Sequence, residues 1–150
     1  MTDNKEHLIK EIIDMGKLTD FEEIIRGVIE NINQQNFSIS ARYDSTQSMT
    51  RWYPSRHIFL SLIKDPLLIL WDLFHEFGHV ISGEKMIVSK ICGYDRELKA
   101  WDNAHRDISK YPFLLRHKEN FEKYRNACLG TYEINKYQTG VQQKHAADGE

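Results

Sequence analysis

The chain has 150 residues, 41% of them hydrophobic and 28% charged, with a formal net charge of −2. That length supports one domain with a buried core, and the near-neutral balance gives no electrostatic reason to expect direct nucleic-acid or anionic-membrane binding. The N-terminal MTDNKEHLIKEIIDMGK lacks the apolar centre of a signal peptide, and the apolar run from Leu67 to Phe74 is too short to span a bilayer, so a cytoplasmic location is expected. Cys92 and Cys128 lie far apart and form no CxxC. They read as reduced thiols rather than a disulfide or zinc knuckle, with Cys92 as a metal ligand the minor alternative.

Helical periodicity opens the chain. Leu8, Ile9, Ile12 and Ile13 recur on one face of Thr2–Met15, and Phe21, Ile24, Ile25, Val28 and Ile32 on one face of Asp20–Gln34, with Thr19 or Asp20 as N-cap. Phe37–Asp44 then alternates apolar and polar, as a half-buried strand does. Met49–Tyr53 and Arg56–Ile63 follow as strands around Pro54-Ser55, and the three are expected to form a short antiparallel sheet. If Arg56–Ile63 lies at the sheet edge, it could pair with an extended peptide through main-chain hydrogen bonds.

Asp65-Pro66 starts the next helix, with Asp as N-cap and Pro at its first position. From Leu67 to Ile81 this helix reads LLILWDLFHEFGHVI, apolar on nearly every side and therefore central. It carries His75-Glu76-Phe77-Gly78-His79, an HExxH sequence. Histidines four residues apart project from one helix face, so both imidazoles can bind one zinc ion while the glutamate acts as general base. The alternative is a chance match on a solvated face. The apolar flanks oppose it, because a desolvated carboxylate between two histidines needs a cation to offset its burial. Asp72, one turn earlier, either orients a ligand imidazole or is a solvated position.

A catalytic zinc site needs a third ligand, and Glu97 is the expected one. The chain can end its helix at Gly83, cross a loop and return antiparallel, since 17 residues lie between His79 and Glu97. Glu97, Trp101, Ala104 and Ile108 fall at i, i+4, i+7 and i+11, an apolar stripe holding one carboxylate. The competing reading pairs Glu97 with Arg96 or Lys99 at the surface, and Asp95, Asp102 and His105 are rival ligands. A third histidine of the HExxHxxGxxH kind is excluded by Ser82 and Lys85. Met86–Ile91 is a further strand candidate, and Tyr111-Pro112 separates the Glu97 helix from a last helix ending near Ala127. Residues 1–134 read as one domain and 135–150 as a mobile polar tail. Tyr94, His105 and Tyr111 are candidates for stabilising the transition state. His7, His57, His117 and His145 have no ligand spacing.

The segment from Ile69 to Gly83 resembles the active-site helix of the ImmA/IrrE-type metallopeptidases, small gluzincin-like enzymes. The resemblance extends to Glu97-Leu98-Lys99-Ala100-Trp101-Asp102-Asn103-Ala104, similar to that family's acidic E-x-E-A-x-x-F-A helix, and covers about half the chain. Lys99 stands where the second glutamate often stands, Asn103 replaces the aromatic, and the preceding loop is short for the family. The resemblance implies an α+β, minimal zincin-like fold, with a small sheet packed on a central HExxH helix. It also implies an intracellular zinc hydrolase that acts on a protein or peptide, often a helix-turn-helix repressor. His75, His79 and Glu97 would hold Zn2+ and Glu76 would be the catalytic base. Manganese, cobalt or iron could also occupy such a donor set. The alternatives are a catalytically silent zincin-fold protein that sequesters a regulator, and a self-contained small-peptide hydrolase.

Overall fold

The two N-terminal helices end by the same local device. Helix α1 (Thr2–Gly16) closes with Lys17 in the left-handed region at φ 54, and Leu18 N–H donates to Ile13 C=O at 2.9 Å. Helix α2 (Glu22–Gln34) closes with Asn36 at φ 65, and Phe37 N–H reaches back to Ile32 C=O at 3.2 Å. Both are Schellman closures, in which the residue after the left-handed one drops an apolar side chain onto the helix it has left. Leu18 and Phe37 are accordingly buried. These findings come from a computed structural model that describes residues 2–83 and 93–131.

The apolar positions expected of the first two helices form one side of the core: Leu8, Ile9, Ile12 and Ile13 with Ile25, Val28 and Ile32. Thr19 and Asp20 do not cap α2. They belong to a 3-10 turn, Thr19–Phe21, preceded by Leu18 and without a side-chain cap bond. The expected strand Met86–Ile91 and the tail 135–150 lie outside the described residues, as does Cys92.

Strands β1 (Ser38–Arg42), β2 (Met49–Arg51) and β3 (His57–Ser61) form a three-stranded sheet in the order β1-β3-β2. The sheet is mixed, not antiparallel as expected: β3 runs parallel to β1 and antiparallel to β2. The pattern of apolar residues explains the order. Ile58 and Leu60 of β3 are fully buried, which suits the central position, whereas the short β2 ends on Arg51 and suits an edge. The segment 43–56, with β2 inside it, is long enough for the crossover that parallel neighbours require. Arg56–Ile63 is therefore not an edge strand.

Helix α3 (Pro66–Ser82) lies across this sheet and is buried almost all round, as its composition requires. Asp65 precedes Pro66, but its side chain makes no cap bond; its carbonyl accepts Ile69 N–H at 3.1 Å. Gly83 ends the helix at φ 89, a conformation that disfavours any side chain. Helix α4 (Gly93–Ile108) returns against α3 and buries Trp101, Ala104 and Ile108, the stripe read from the sequence. After it comes a short α5 (Pro112–Leu115), then α6 over residues 118–131. The single last helix expected from Pro112 is thus divided at 116–117, where His117 N–H bonds Leu114 C=O at 2.9 Å. Among the described residues, no helix is long and apolar enough to cross a membrane.

Helices α3 and α4 touch backbone to backbone at Gly78. A Cβ built there would lie 2.2 Å from the Ala100 carbonyl oxygen and 3.2 Å from its Cα, so only glycine permits this approach. Asn103 pins the crossing by donating to Gly78 C=O and to Ser82 Oγ, both at 3.0 Å. Gly78→Ala should therefore lower stability by about 2 kcal/mol or more, as backbone overpacking does. Gly27, with open space around its Cα, is the contrast: Gly27→Ala should be neutral or stabilising by up to about 1 kcal/mol. Chemical denaturation of the two variants checks this, and equal stability of Gly78→Ala and wild type would refute the crossing geometry.

Candidate metal centre

His75 and His79 leave α3 on one face, their ring centroids 4.7 Å apart, and Glu97 meets them from α4. One carboxylate oxygen, Glu97 Oε2, lies 2.6 Å from His75 Nε2 and 3.0 Å from His79 Nε2. The three ligand atoms all fall within 4.8 Å of one another. A tetrahedral zinc ion with bonds of about 2.0–2.1 Å would separate its ligand atoms by about 3.3 Å. The Glu97 oxygen therefore has to move back by about 0.7 Å from His75 and about 0.3 Å from His79 to share one, and the donor set of two imidazoles and one carboxylate suits that ion.

Neighbouring side chains hold His75 and Glu76 in place. Trp101 stacks flat on His75, with centroids 4.1 Å apart and planes inclined by 7°. His75 Nδ1 lies 3.1 Å from Glu76 Oε2. Glu76 is only 3% exposed, and Thr50 of β2 donates to its Oε1 at 2.9 Å and to its backbone carbonyl at 3.2 Å. Strand β2 thus holds the general-base candidate from the opposite side to α4.

Charge is concentrated here and is compensated internally. Burial opposes protonation of His75, but the carboxylates of Glu76 and Glu97 outweigh it and push its pKa up to about 10. Burial alone would raise both acids. The His75 and His79 hydrogen bonds instead hold Glu97 well below the usual carboxylate range, and the charge of His75 holds Glu76 down in the same way.

Asp72 serves a different purpose from the imidazole-orienting one considered for it. It is buried, and its Oδ2 accepts from Lys64 Nζ at 2.7 Å and Ser48 Oγ at 2.8 Å while Tyr124 donates to its Oδ1 at 2.7 Å. Lys64 also donates to the Tyr124 hydroxyl at 2.8 Å, closing a triangle. Desolvation raises the Asp72 pKa against the pull of Lys64. Burial, together with Asp72, pushes the Tyr124 hydroxyl up and the Cys128 thiol to about 11, so both stay neutral at pH 7.

The metal group and this triangle share the wall of one cleft of about 470 Å³, lined also by Met49, Thr50 and Arg96. Tyr94, His105 and Tyr111 do not line it. Tyr94 packs against the core, Tyr111 sits against Phe74 with centroids 6.2 Å apart, and the exposed His105 stacks on Phe121. Among the rival ligands, Asp95 is exposed, and Asp102 pairs with Arg125 at 3.1 Å. Glu97 faces the histidines rather than Arg96 or Lys99. Sequence reasoning missed Ser48, Thr50, Lys64 and Tyr124, and took Trp101 only as core. No family model matches the chain, and comparison with curated proteins and with solved structures gives no match.

With its pKa raised by the carboxylates of Glu76 and Glu97, His75 holds a proton at pH 7 that an incoming ion would have to displace. Protons would therefore compete with any zinc ion bound here. Affinity should rise by about tenfold per pH unit from pH 6 to 9, with release of about one proton per ion at pH 7. Calorimetric titration in buffers of different ionisation enthalpy measures both quantities. A pH-independent affinity, or full zinc retention by Glu97→Ala, would contradict the assignment.

Proposed function

We propose that the chain is a zinc-dependent metallopeptidase of minimal zincin-like architecture that hydrolyses a peptide bond in a regulatory protein. The observation that carries this reading is the convergence of His75, His79 and Glu97 at 2.6–3.0 Å, with Glu76 beside them inside a cleft. Two imidazoles and a carboxylate, with an adjacent general base and room for a substrate, are the parts that amide hydrolysis needs.

When bound, the ion polarises the scissile carbonyl and lowers the pKa of the attacking water. The rest belongs to the chain's own side chains. Glu76 accepts the water's proton and returns it to the leaving amine, and Thr50 keeps the Glu76 carboxylate in position by donating to Oε1. Trp101 fixes the plane of His75, and burial keeps bulk water from screening these charges. Met49 and Thr50 belong to β2, which among the described residues is an edge strand, and its outer side can accept an extended peptide by main-chain hydrogen bonds next to Glu76. The resemblance of the HExxH and Glu97 segments to ImmA/IrrE-type enzymes suggests the class of partner, a transcriptional regulator such as a helix-turn-helix repressor.

Glu76→Gln keeps the shape and the metal ligands but removes the base. Incubated with the regulator encoded nearest to it, the zinc-loaded wild type should release defined fragments by mass spectrometry. Glu76→Gln, still holding one zinc, should cut at least about a hundredfold more slowly. If both proteins relieve the regulator equally and no fragment forms, the chain works by sequestration and the peptidase reading fails.

A further inference from the structure

Among the described residues, the charges lining the cleft are paired with one exception. Lys64 is taken up by Asp72, and Glu76 and Glu97 are compensated by the histidines or by the ion they would hold. Arg96 lines the same wall, half-buried, and among the described residues it has no carboxylate or other hydrogen-bond partner. Its planar guanidinium fork matches a carboxylate at two points. It precedes Glu97 in α4, and both residues line the cleft. Once a divalent ion is bound, its charge adds to that of Arg96, and the cleft favours an anionic group over a neutral or cationic one.

We propose that Arg96 is a specificity-determining residue that selects substrates carrying an acidic side chain close to the scissile bond. This rests on the peptidase reading but is measured through binding. The zinc-loaded Glu76→Gln protein, which does not consume its ligand, is titrated calorimetrically with matched peptides that differ only in Glu, Gln or Lys at the positions flanking a common central bond. At one of these positions the Glu peptide should bind about tenfold more tightly than its Gln counterpart, the size of one charge-assisted contact. The preference should weaken as salt is raised. Adding Arg96→Gln should abolish the preference, and Arg96→Glu should reverse it towards Lys, with zinc content unchanged in both.

Equal binding of Glu and Gln peptides, a preference that survives Arg96→Gln, or binding of no peptide in the set each overturns the proposal. The peptidase reading fails separately, if the acidic preference holds in binding while the zinc-loaded wild type leaves the same peptides uncut.

Discussion

Everything at the centre of this molecule depends on how closely two helices approach. Where α3 crosses α4, the absence of a side chain at Gly78 lets the Ala100 carbonyl into the space a Cβ would fill. One turn before Gly78 stands His75, and one turn before Ala100 and Trp101 stands Glu97. The close crossing therefore carries the carboxylate to the imidazoles and brings Trp101 flat against His75. A wider crossing would separate the same residues by more than one ion can bridge. Asn103 and Ser82 hold the crossing through the Gly78 carbonyl, so the buried polar Asn103 acts here as a fastener.

A second constraint is electrostatic. A helix buried nearly all round carries Asp72, His75, Glu76 and His79, each of which would be costly to desolvate alone. Two separate arrangements resolve this. Asp72 is neutralised by Lys64 and further hydrogen-bonded by Ser48 and Tyr124. The acids Glu76 and Glu97 are held in their charged form by the histidines, the protonation state that a divalent ion also requires of them. Their arrangement supports binding of a cation, because replacing a proton on His75 by a doubly charged ion strengthens the interaction with both carboxylates.

What was legible in the sequence was what is local or periodic. The HExxH spacing needs only a helix, and the stripe of Glu97, Trp101, Ala104 and Ile108 needs only helical periodicity and an apolar partner, so both could be read without knowing the fold. Alternation along Phe37–Asp44 marks a half-buried strand, but period-two patterning says nothing about which strand lies beside which. That is why the mixed order β1-β3-β2 was not foreseen. The Lys64–Asp72–Tyr124 triangle joins positions 8, 52 and 60 residues apart and carries no pattern at all. Thr50 was hidden for the same reason, being brought to Glu76 from a strand 26 residues away. Tyr94, His105 and Tyr111 are near Glu97 in sequence, but the cleft beside the metal group is completed by residues from β2 and α6.

The central claim is that one ion is shared by His75, His79 and Glu97, and X-ray absorption at the zinc edge tests it most directly. The purified, zinc-loaded protein should give a first shell of nitrogen and oxygen only, at about 2.0–2.1 Å, with the outer-shell scattering of two imidazoles. Glu97→Ala should lose one first-shell oxygen or fail to load. A sulfur shell at about 2.3 Å, a single imidazole, or no stoichiometric zinc in the wild-type chain would contradict the account.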